Sequence, residues 1–70
     1  MNIHKAVDKA YENKSLKEIA DSPVDALEGI SAADAEKLKA AFNIKTVRDL
    51  AELKYFRWAR AIVDLSGVEE

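Results

Sequence analysis

Apolar positions recur with helical spacing along this chain, in short runs that are repeatedly stopped and restarted. Ile3, Ala6, Val7, Ala10 and Tyr11 fall on one stripe, with Lys5, Asp8, Lys9 and Glu12 opposite, which predicts an N-terminal amphipathic brace helix. Ala35, Leu38, Ala41 and Phe42 form a second inward stripe against Glu36, Lys37, Lys39 and Ala40. In the last segment Tyr55, Phe56, Trp58, Ala59, Ile62, Val63 and Leu65 cover about half the helical circumference, leaving Arg57, Arg60 and Asp64 as the polar stripe. That breadth predicts either the most buried element or one with a surplus apolar face. Phe56 and Tyr55 are expected mainly in the core, with Trp58 towards one edge of the arc.

Punctuation places the boundaries. The pattern Ser/Thr-x-x-Asp/Glu, in which a hydroxyl caps the helix start and the acid reaches back, occurs at Ser15 to Glu18, Ser22 to Asp25, Ser31 to Asp34 and Thr46 to Asp49. Pro23 follows Ser22 at a first helical position, where its missing N–H costs nothing. Gly29 and Asn43 stand where helices end in a left-handed residue, and Gly67 closes the last one. The predicted helices lie near 3–12, 16–20, 23–28, 32–42, 47–53 and 55–65: a compact all-α domain of five or six helices occupying residues 1–70 as one unit. A short echo, Ser15 to Ala20 against Thr46 to Ala51, shares the order hydroxyl, aliphatic, cation, acid, aliphatic, alanine. Its weight is structural.

The run from Leu27 through Gly29, Ile30 and Ser31 to Leu38, continued by Phe42 to Ala51, resembles the helix-hairpin-helix family in its five-helix, tandem-repeat-like form. It is also similar to RNA polymerase alpha C-terminal-type helical domains. The resemblance spans roughly residues 15–53 and implies a helix-hairpin-helix-like core, with Ile30 plugging the space between two helices and Ala35 allowing their close approach. In DNA-binding members the hairpin amides and the start of the second helix grip a phosphate. Carried over, that contact falls on Gly29, Ile30, Ser31, Ala32 and Ala33, with Lys37 as the first cation. This chain departs from the pattern: Ser31 replaces the second glycine, and Glu28, Asp34 and Glu36 surround the turn with charge that repels phosphate. A structural joint is the expected role of the turn.

Composition narrows the function classes. The 70 residues are 49% hydrophobic and 34% charged, a globular balance, and a chain this short buries only about 60% of its unfolded surface. There is no cysteine, which removes disulfides, thiolate chemistry and cysteine-based zinc sites. His4, with Asp8 one turn on, is the lone histidine and reads as a solvated surface pair. No serine has a histidine-supported base, and so small a domain encloses no substantial pocket, so no enzyme, cofactor, metal or small-molecule substrate is expected. No stretch approaches the roughly 20 apolar residues that span a bilayer. No signal-peptide pattern is seen, and a cytoplasmic protein is expected.

Charge is unevenly placed. Between Lys17 and Lys37 only acids occur, whereas Lys37, Lys39, Lys45, Arg48, Lys54, Arg57 and Arg60 dominate the later part, within a net charge of −2. The leading expectation is a small protein-interaction or adaptor module that binds itself or a larger partner, with Trp58, Leu65, Arg57 and Arg60 as the partner surface. The second is a nucleic-acid-binding accessory module that meets a phosphate backbone through the hairpin and the basic half.

Overall fold

Capping chemistry sets the helix boundaries in the structure, a computed structural model that describes residues 1–69. Three of the four expected capping boxes form, at Ser15/Glu18, Ser31/Asp34 and Thr46/Asp49. They open α2 (Leu16–Ala20), α3 (Ala32–Phe42) and α4 (Val47–Glu52). With α1 (Ile3–Ala6) and α5 (Lys54–Ser66) they make the domain all-helical, joined by 3₁₀ turns at Lys9–Tyr11 and Val24–Ala26. Gly29 and Asn43 adopt positive φ, +94° and +57°, as the stop signals require, whereas Gly67 closes α5 in a right-handed conformation.

The fourth box does not form. Ser22 donates its hydroxyl to the Glu18 carbonyl (2.8 Å), and the expected 23–28 helix is reduced to the 3₁₀ turn. The reason is long-range pairing. The Val24 N–H donates to the Lys45 carbonyl and the Val47 N–H to the Ser22 carbonyl, both at 3.0 Å, so Pro23 and Thr46 form an isolated antiparallel bridge. The two echoing segments thus lie side by side, with α2 packed against α4 and Arg48 bonded to Asp21 at 2.9 Å. That pair is exposed and joins the acidic half of the chain to the basic half.

The expected 3–12 brace is likewise broken. Val7 is extended and pairs antiparallel with Leu27; the Asp8 N–H donates to the Ala26 carbonyl (2.8 Å) and the Glu28 N–H to the Ala6 carbonyl (2.9 Å). Ile3, Ala6, Val7 and Tyr11 still face inward, so the apolar stripe holds while the backbone that carries it does not; Ala10 is exposed. Val7 suits an extended, packed position because it is β-branched. The break also redirects His4, whose Nδ1 lies 3.3 Å from Glu12 Oε2 instead of facing Asp8. Asp8 sits against Glu28, and the shared hydrogen bond and mutual repulsion raise the Glu28 carboxyl above its ordinary range.

The core consists of Val7, Ile19, Val24, Ala26 and Ile44. It lies where the hairpin, α2 and the α3–α4 connection meet. Of the inward stripe expected on α3, Ala35 and Leu38 are half-buried but Ala41 and Phe42 are exposed. The radius of gyration, 13.9 Å, exceeds the roughly 11 Å of a compact 70-residue domain. The difference comes from the last helix: no described residue after Leu53 is even half-buried.

The Thr46 cap ties α4 to this core. Asp49 accepts the N–H groups of Lys45 and Thr46, each at 3.1 Å, and these bonds hold its carboxyl below the ordinary aspartate value. A lowered folded pKa contributes stability that is complete above the ordinary value and is lost as pH falls through the lowered one. Thr46→Ala is expected to cost about 1 kcal/mol in urea unfolding, and Ser22→Ala, which removes no N-cap but only an exposed bond to the Glu18 carbonyl, distinctly less. Equal losses would contradict the capping assignment.

Candidate functional site

The hairpin and the last helix are the two places where the sequence puts candidate function, and they occupy opposite ends of α3. Eleven helical residues span about 16 Å, from the Ser31 cap to Phe42. At the first end, a phosphate would need free amide donors. The Ile30 N–H already donates to the Leu27 carbonyl (3.2 Å), the Ser31 N–H to Asp34 Oδ2 (3.3 Å), and the Asp34 N–H to Ser31 Oγ (3.1 Å). The capping box therefore consumes donors at this turn and sets the Asp34 carboxylate at the positive end of the helix. Ser31 and Ala32 are exposed, Ile30 is half-buried as a packing residue, and Lys37 lies exposed further along α3. Arg48 of the basic half is engaged by Asp21, whose hydrogen bond and charge raise the guanidinium pKa further.

At the other end the aromatic residues gather on the surface. Phe42 and Tyr55 have ring centroids 6.2 Å apart, and Tyr55 meets Trp58 edge-on at 5.7 Å. Lys54 Nζ lies 5.0 Å from the Tyr55 centroid and 5.5 Å from that of Trp58, a cation over two aromatic faces. Tyr55 and Phe56 are thus exposed, against the expectation that they are core. The spacing that gives α5 its apolar arc is real, but only α4 makes substantial contact with it.

Trp58 is 58% exposed and Leu65 66%; Ile62 and Val63 lie on the same apolar arc, and Val68 is exposed beyond the end of α5. Arg57 is exposed on the polar side, while Arg60 forks onto Asp64 Oδ1 through Nη2 (2.7 Å) and Nε (3.1 Å). Phe56, Ala59, Arg60 and Val63 border a shallow groove of ≈ 220 Å³. Their spacing, i, i+3, i+4 and i+7, is that of a hole that accepts a knob from a facing helix. A 13-residue helix is marginal in water without tertiary contacts, and α5 buries none of its residues. Covering this face would stabilise the helix as well as the contact.

A second cleft, of ≈ 320 Å³, opens between the Val24–Ala26 turn and α3, with Asp25, Glu36, Lys39 and Lys45 at its mouth. It holds no cluster of acid, base and nucleophile. Among the described residues no group of three or more His, Cys, Asp or Glu side chains could hold a metal ion, and no helix is long and apolar enough to cross a membrane. Comparison with family models, with curated proteins and with solved structures gives no match.

Proposed function

We propose that the protein is a small, non-enzymatic protein-interaction module that docks partners through the apolar face of α5. The observation that carries this reading is the half-circumference of large apolar side chains on a helix with no buried residue. Large contiguous apolar surfaces on soluble proteins mark interaction sites. Trp58 and Leu65 anchor the face, and Arg57 and Arg60 supply a charged margin. The hairpin at Gly29, Ile30 and Ser31 acts as the joint that fixes the start of α3.

The test compares the tagged wild-type chain with Trp58→Ala and Leu65→Asp in capture from native lysate, with and without nuclease. Partners that survive nuclease and are lost in both variants, with helicity unchanged by circular dichroism, are expected. Retention of the same partners by both variants, or loss of all bound material on nuclease treatment, overturns the reading. The second outcome would instead favour nucleic acid.

A further inference from the structure

We infer that the occupant of the α5 face is a second copy of this chain, packed antiparallel, helix against helix; this rests on α5 being the docking surface. Area comes first. A compact protein of 7.8 kDa exposes about 4,400 Å², whereas this chain exposes 5613 Å². The surplus of about 1,200 Å² exceeds the roughly 800 Å² that each partner buries in a standard interface. A two-fold pair satisfies the surplus on both chains with one patch.

Charge sets the direction. The N-terminal part of α5 carries Lys54, Arg57 and Arg60, and Asp64 and Glu69 lie towards its other end. A parallel pair stacks like ends and like helix dipoles; an antiparallel pair opposes both. α5 ends at Ser66, but Gly67 stays right-handed and the Val68 N–H donates to the Leu65 carbonyl (3.1 Å), so the chain makes one further turn and Glu69 follows directly after it.

Side-chain spacing sets the register. In an antiparallel two-fold pair the same edge of each helix faces its counterpart. With the axis between Ala61 and Ile62, Trp58 lies opposite Leu65 of the second copy and Lys54 opposite Glu69. All these residues lie on one side of the helix. One register therefore pairs the aromatic anchor with an aliphatic one and opposes unlike charges.

The absence of native cysteine makes the register directly readable. Sedimentation equilibrium from about 1 µM to about 1 mM is expected to show a monomer–dimer equilibrium, weakened at least about tenfold by Leu65→Asp. Mixing a Lys54→Cys chain with a Glu69→Cys chain under mild oxidant is expected to give the mixed disulfide in preference to either homodisulfide. A chain that stays monomeric throughout overturns the inference and leaves the docking reading to the lysate test. Preferential Lys54→Cys homodisulfides overturn the antiparallel register alone. A dimer indifferent to Leu65→Asp overturns both the inference and the assignment of α5 as the docking surface.

Discussion

Replacing Ile44 by alanine is expected to remove about 2–5 kcal/mol from the folding free energy, whereas Ile62→Ala, the same chemical change, is expected to alter the monomer by no more than about 0.5 kcal/mol. Ile44 is 2% exposed and Ile62 68%. Ile44 directly follows the left-handed Asn43, and its N–H donates to the Leu38 carbonyl (3.3 Å), so the turn that ends α3 drives this side chain into the core. Five buried side chains among the described residues carry the interior, and a 70-residue domain has about 4–10 kcal/mol of total stability. Removal of Ile44 should therefore lower the urea midpoint sharply and populate unfolded chain at ambient temperature. Measuring both variants at about 1 µM, the low end of the sedimentation range, isolates burial as the variable. Similar losses in the two would mean that α5 belongs to the core after all.

Local chemistry was legible in the sequence, and long-range backbone pairing was not. The boxes at Ser15, Ser31 and Thr46 depend on residues three apart, and each appears where the spacing places it. Val7 and Ser22 read as parts of helices by the same local rules. Their backbones are instead claimed by Leu27 and by the Lys45–Val47 segment, partners about 20 residues away that no periodicity reveals. When such a pair forms, both chains give up helical bonds and satisfy their N–H and carbonyl groups across the bridge. The apolar stripes survived because inward positions serve either backbone.

The same distinction explains the candidate site. The width of the α5 arc singled out Trp58 and Leu65, but a helical wheel shows which side is apolar and not what covers it. Tyr55 and Phe56 were therefore assigned to an interior that lies elsewhere, while Lys54, now seen over two aromatic rings, carried no sequence signal beyond its charge. At the hairpin the acids Glu28 and Asp34 did give warning. The Ser31/Asp34 box turns that warning into geometry, with a carboxylate where a bound phosphate would have to sit. The exposed aromatic cluster instead lies at the far end of α3, where Phe42 meets Tyr55.

Gly29→Ala is expected to destabilise the protein by about 1–2 kcal/mol, the cost of holding an L-residue at positive φ. At φ +94° the glycine has no neighbour within 4 Å of the position a Cβ would take, so steric crowding contributes nothing and the backbone alone is tested. The turn matters because it lies between the Val7–Leu27 bridge and the Ser31 cap, and so orients α3 against the first quarter of the chain. A chain of 70 residues is accessible to chemical synthesis, which allows D-alanine at the same position. D-alanine favours positive φ and restricts the unfolded chain, and it is expected to stabilise by about 0.4–1 kcal/mol. Opposite signs for the two enantiomers in thermal unfolding would show that the joint is set by backbone handedness. If both were destabilising, backbone handedness alone would not account for the glycine at this turn.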